Sequence, residues 1–111
     1  MAIKKTAEFS DEEQLLAAFA KALAHPARIA IMKILASQNE CVCGKIVEVM
    51  PLAQSTVSQH LKELKNAGLV DGTIDGPKSC YCINWKAFEK FSSDFNLLFS
   101  NLKTENKKAC C

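Results

Sequence analysis

"QSTVSQHLKELKNAG", residues 54–68, puts Val57, Leu61 and Leu64 on one stripe of a helix and closes on Gly68, a residue suited to the left-handed turn that ends helices. With about 100° between successive residues, Ser55, Thr56, Gln59, Lys62 and Glu63 fall on the opposite side. Gln54 and Ser58 complete this small, polar surface, which is rich in hydrogen-bond donors. Base edges in a DNA major groove present donors, acceptors and the thymine methyl, and Gln, Ser and Thr side chains match these groups. A solvated helix face would have the same composition, so the neighbouring segments must decide between the two.

Upstream, "PLA" (51–53) makes a three-residue connection, because Pro51 disfavours helical geometry at Met50 and so ends a short helix through Ile46, Val47 and Met50. Downstream, "LVDGTI" and "SCYCIN" alternate as strands, with "DGPK" between them as a hairpin turn marked by Asp75 and Gly76. Two helices across a tight turn followed by a hairpin form a helix-turn-helix with a β-wing. That context favours DNA recognition for the exposed face of residues 54–68. His60 lies about 60° off the apolar stripe, so a half-buried role competes with a DNA contact. Lys62, Lys65, Arg28, Lys45 and Lys78 are candidate phosphate contacts, with Lys78 on a wing also carrying Asp71 and Asp75.

Ser10 and Glu13 form a capping box ahead of a first amphipathic helix over 11–23, with Leu15, Leu16, Phe19 and Leu23 at helical spacing. Pro26 suits the first turn of a second helix, largely buried through Ile29, Ile31, Met32, Ile34 and Leu35. His25, just before that proline, reads as a local cap. From Trp85 onward Phe88, Phe91, Phe95, Leu98 and Leu102 recur in a 3-4-3-4 spacing, a seam on a long last helix. The expected organisation is an arm at 1–10, a mainly α winged helix-turn-helix domain with a small hairpin at 11–103, and a polar, cysteine-containing tail at 104–111.

The chain has 111 residues, 49% apolar and 23% charged, as in an ordinary globular domain. A net charge of +2 is too weak to imply a polyanion partner by itself. No apolar run approaches the roughly 20 residues of a spanning helix, and the N-terminus lacks the apolar core of a secretory signal. A cytoplasmic location without membrane association is expected. There is no phosphate-cradling glycine loop and no paired carboxylate or nucleophile–histidine pattern, so an enzyme is the least favoured class.

Six cysteines fall into three close pairs: Cys41 and Cys43, Cys80 and Cys82, Cys110 and Cys111. In a reducing compartment, thiols so grouped bind metals or perform redox chemistry more often than they staple a fold. Positions i and i+2 of a regular helix point about 200° apart, so Cys41 and Cys43 would need an altered helix start to share one ion. On a strand, Cys80 and Cys82 project to one face about 7 Å apart at their α-carbons.

"LAHPARIAIMKIL", "ECVCGKI", "QSTVSQHLKELKNAGLV" and "DGPKSCYCIN" together resemble the ArsR/SmtB family of dimeric, metal-sensing winged-helix repressors, over about residues 11–102. The resemblance implies a homodimer, joined through the first and last helices, here Leu16, Phe19, Phe88, Phe91, Phe95 and Leu98. It implies binding to double-stranded operator DNA and release when a toxic metal or metalloid binds. A two-fold dimer implies an imperfect inverted repeat with recognition helices about one DNA turn apart. Cys41 and Cys43 match the first two thiols of the arsenic-site pattern CxCxxC, with Ile46 at the third position. The cadmium/lead branch completes its site from an N-terminal arm, whereas no cysteine precedes Cys41 here. The expected inducer is arsenite, with antimonite as a second and cadmium, lead or zinc as alternatives. The missing sulfur would come from Cys110 or Cys111, or less favourably from Cys80 and Cys82. A thiol-redox sensor of the same fold and a metal chaperone that binds no DNA are the competing functions.

Overall fold

The computed structural model describes residues 8–38, 41–43, 50–73 and 80–106. Helix α1 (Asp11–Leu23) begins at Ser10, whose hydroxyl accepts from the Glu13 amide while the Glu13 carboxylate accepts from the Ser10 amide. The expected capping box is therefore closed in both directions. Helix α2 (Pro26–Ala36) starts at His25, where Nδ1 accepts from the Ala27 amide at 3.0 Å, so this histidine is the local cap anticipated above. The two helices meet at about 90°.

A two-residue strand, β1 (Val42–Cys43), follows. The short helix expected through Ile46 and Val47, and with it Lys45, lies outside the described residues. Helix α3 (Gln54–Asn66) is the segment expected to read DNA, and strands β2 (Val70–Thr73) and β3 (Cys80–Ile83) form the wing. The turn between them, including Lys78, is outside the described residues. Helix α4 (Trp85–Glu105) is capped by Asn84, whose Oδ1 accepts from the Ala87 amide. It runs past residue 103, where the tail was expected to begin, and Cys110 and Cys111 lie beyond the described residues.

Gly68 has a φ of +88°, and the Leu69 amide donates back to the Leu64 carbonyl at 3.0 Å, the left-handed closure the sequence predicts. Three apolar layers meet behind α3. Val57, Leu61 and Leu64 are fully buried against Ile31 and Leu35 of α2 and Val70 of β2, with Tyr81 and Ile83 beneath. Truncating a leucine so enclosed costs about 2–5 kcal/mol, so the core fixes the face that α3 turns outward.

The expected hairpin of β2 and β3 is present, and β1 joins it to make a three-stranded sheet. Its order is β1-β3-β2, all antiparallel, with Val42 opposite Tyr81, Cys43 opposite Cys80 and Asp71 opposite Cys82. Cys41 and Cys43 therefore flank and occupy a strand rather than a helix start. The helical estimate of 200° between them does not apply, because alternate residues of a strand share a side. Among the described residues no single helix is both long and apolar enough to cross a membrane.

Candidate functional site

Packing of Val57, Leu61 and Leu64 leaves Gln54, Ser55, Thr56, Gln59 and Lys62 exposed and Ser58 half-buried. Gln59 donates from Nε2 to the Glu63 carboxylate at 3.1 Å, an i,i+4 bond that holds its amide along the helix surface. These residues form the continuous polar face read from the sequence. His60 does not join it. The His60 side chain is turned inward at 8% exposure, its ring 4.4 Å from that of His25, and its Nδ1 accepts from Arg28 Nε at 3.1 Å. Burial first, then the adjoining His25 and Arg28, lowers its pKa below the ordinary histidine value.

Two expected phosphate contacts are engaged in hydrogen bonds within the protein. Besides bonding His60, Arg28 donates from Nη1 to the Ala22 carbonyl at 3.1 Å, so one guanidinium links α1, α2 and α3. Lys65 donates from Nζ to the Gly72 carbonyl at 2.6 Å and ties the end of α3 to the wing. Composition could not separate these roles from phosphate contacts, because a lysine or arginine supplies the same donors to a carbonyl as to a phosphate.

The thiols come together through the sheet. Continuing the β1–β3 register one residue outward sets Cys41 opposite Cys82, and the two are joined by a disulfide with α-carbons 4.5 Å apart. That separation is typical of an antiparallel pair without a ladder hydrogen bond, the closest approach two strands make. On β3, Tyr81 and Ile83 are buried while Cys80 and Cys82 are half-buried, so the cysteines occupy the face away from the core. Cys80 is also disulfide-bonded, and its register partner is Cys43. Cys80 and Cys82, the less favoured pair by sequence, are thus the nearest partners of the favoured one. Two CxC segments of equal spacing, one beside Val and one beside Tyr, were the available signal for cross-strand pairing. Among the described residues no group of three or more His, Cys, Asp or Glu side chains is arranged to hold a metal ion. The disulfide sulfurs would have to be reduced before they could ligate one.

The model of bacterial regulatory proteins of the arsR family matches residues 25–71, which carry α2, β1 and α3. HTH-type transcriptional regulator YgaV of Escherichia coli (strain K12) is 30% identical over 81 residues, which cover 73% of this chain and 82% of that protein. The chain belongs to the arsR family. The arsenical resistance operon repressor of Staphylococcus aureus is 27% identical over 86% of this chain and 88% of its own length. Among solved structures, the homodimeric winged helix-turn-helix DNA-binding domain of Mb0332 from Mycobacterium bovis is similar, with a TM-score of 0.59 and 25% identity over 93% of this chain and 99% of that one. As an arsR-family protein, this chain is a DNA-binding transcriptional repressor and not an enzyme.

The residues expected at an arsR-family dimer interface differ in how far the protomer covers them. Phe19 and Phe91 are buried within the chain, their rings edge to face at 5.1 Å, and Phe88 and Phe95 pack partly against the same core. Leu16 and Leu98 are half-buried. The large apolar side chains left exposed on α1 and α4 are Leu15, Trp85, Leu97, Phe99 and Leu102. Of the sequence seam, Phe88, Phe91, Phe95 and Leu98 are buried or half-buried and Leu102 is exposed, while Leu97 and Phe99, outside the seam, are exposed beside it.

Proposed function

We propose that this arsR-family protein is a homodimeric repressor, acting in the cytosol, that leaves its operator when trivalent arsenic or antimony binds cysteine thiolates. The observation that carries the reading is the approach of Cys41 to Cys82, 4.5 Å between α-carbons. In the reduced protein these residues offer two sulfurs from two different strands, and the Cys43–Cys80 register pair stands two residues along the ladder, beyond Val42 and Tyr81. Trivalent arsenic typically takes three sulfurs, whereas divalent cadmium or zinc favours four. A third thiolate from Cys43 or Cys80 then completes the arsenic site without a contribution from Cys110 and Cys111.

The coupling to DNA follows from chain order. Cys41 precedes the segment that leads to Met50 and α3, while Cys82 belongs to the wing. A ligand that resets the spacing of β1 and β3 moves these two DNA-facing parts relative to each other. By linkage, bound operator weakens ligand binding by the factor that the ligand weakens operator binding.

The test is fluorescence anisotropy on an operator fragment selected from a random duplex pool. Reduced protein is titrated with arsenite, antimonite, cadmium, lead and zinc, for wild type, Cys41→Ser, Cys82→Ser and the double variant Cys110→Ser/Cys111→Ser. Release by arsenite that is lost in the two strand variants and kept in the tail variant is the expected result. Release by a divalent cation alone would reassign the inducer, and loss in the tail variant would return the tail to the ligand set. A protein that selects no duplex at all would defeat the operator reading.

A further inference from the structure

We infer that the Cys41–Cys82 pair is a reversible dithiol that an oxidant closes, and that closure leaves the repressor able to bind DNA but unresponsive to its thiolate-binding inducer. The inference depends on the proposed function for what is gated, though not for the bond or its effect on DNA binding. It starts from the state of the sheet. The disulfide coexists with the described part of the winged fold: Val42 and Tyr81 are paired and buried behind it, and Val57, Leu61 and Leu64 keep α3 seated in the core. Closing the bond therefore requires no departure from the conformation that presents Gln54, Ser55, Thr56, Gln59 and Lys62 outward. It does use both sulfurs. A sulfur in a disulfide has no thiolate to offer a metalloid, so the same event that preserves the DNA face removes two ligands.

Exposure assigns the order of events. Cys41 is exposed and Cys82 half-buried, so Cys41 meets a hydroperoxide first. Its thiolate attacks the peroxide oxygen; the S–O bond forms as the O–O bond breaks, leaving a sulfenic acid and one molecule of alcohol or water. The Cys82 thiolate then attacks that sulfur, forming the S–S bond and expelling hydroxide, which leaves as water with the proton from the thiol. Two sulfurs have lost two electrons in total, and one hydroperoxide has gained them. The antiparallel register already holds the second thiol at disulfide range, within the usual α-carbon separation of about 4.4–6.8 Å, so the sulfenic acid has a partner without rearrangement. Reduction by a cellular thiol reverses the step.

The experiment treats the full-length reduced protein with one equivalent of hydrogen peroxide, maps its disulfides by mass spectrometry of proteolytic peptides, and measures operator anisotropy before and after arsenite. The expected product links the Cys41 peptide to the Cys82 peptide. Its operator affinity should stay within about twofold of the reduced protein, while the arsenite concentration for half-release rises at least about tenfold and returns after dithiothreitol. Cys82→Ser should give no peptide linked to the Cys41 peptide; the double variant Cys110→Ser/Cys111→Ser should keep both the linkage and the gate. The inference is overturned if peroxide leaves Cys41 and Cys82 reduced, if it links them to other cysteines, or if the oxidised protein leaves the operator. Should arsenite fail to release even the reduced protein, the proposed inducer falls. Peptide mapping and operator binding then still decide the inference, with its gating arm read by cadmium.

Discussion

At the scale of single residues, His60 shows how a side chain on a recognition helix can serve the interior. Its Nδ1 accepts from Arg28 Nε, which requires the neutral ring, and burial beside His25 and Arg28 disfavours the charged one. Because the folded-state pKa is lowered, the unfolded chain binds more protons near neutrality, and the contribution of His60 to stability is full above its ordinary value of about 6.5. It is lost as the pH falls through the lowered value. The thermal midpoint of the wild type should therefore drop more steeply between about pH 7.5 and pH 5 than that of His60→Asn, whose amide oxygen still accepts from Arg28. Equal slopes in the two proteins would remove His60 from this account. The sequence showed His60 near the edge of the apolar stripe but could not show Arg28, which is 32 residues away and meets it only after α2 crosses α3. Long-range pairing of this kind has no local signature.

At the scale of elements, the helices and the wing were legible because each carries its own signals: the Ser10–Glu13 box, Pro26, Gly68 and the alternation around Tyr81. Strand β1 was not, since two residues are too few to establish a period and Val42 suits either state. Its identity comes from β3, which supplies the ladder. Gly72 illustrates the dependence of the wing on its backbone. Its φ is +136°, and a β-carbon there would overlap the carbonyl oxygen of Cys80. Gly72→Ala should cost about 1–3 kcal/mol and displace β3. Denaturant unfolding would read the loss, and peroxide-driven linkage of Cys41 to Cys82 should slow with it; an unchanged midpoint would mean the strands can part freely. On α3, Lys62→Ala should weaken binding to specific and random duplexes alike and lower the salt slope by about 1, whereas Gln59→Ala should cost about 1–3 kcal/mol on the selected operator alone. Anisotropy across a salt series distinguishes the two.

At the scale of the molecule, the protomer is longer than its size requires. Its radius of gyration is 17.1 Å and its extents are 53 × 35 × 28 Å, against about 13 Å for a compact domain of this length. Its α4 is a helix about 31 Å long whose far half carries Leu97, Phe99 and Leu102 at more than half exposure. Burying such side chains against a second copy would stabilise a dimer by about 1.5–3 kcal/mol for each large apolar residue. Phe99→Glu should shift sedimentation from dimer to monomer and weaken operator binding at least tenfold, about 1.4 kcal/mol or more; a variant that remains dimeric would place the contact elsewhere. The seam was legible as a repeat, but the exposed Leu97 and Phe99 beside it were not, because which side chains stay uncovered depends on where α1 lies across α4.

The central position of β3 has a consequence for descent. Cys41 and Cys82 are 41 residues apart in the chain yet opposite one another in the β1–β3 register, on strands whose side chains alternate with a period of two. Insertions between β2 and β3 lengthen the wing without disturbing which thiol meets which. A single residue inserted between Cys80 and Cys82 would instead move one cysteine to the core side and break a pair. Relatives that keep both CxC segments should therefore vary in wing length but never in the spacing within either segment, and loss of Cys82 should relieve the need to retain Cys41.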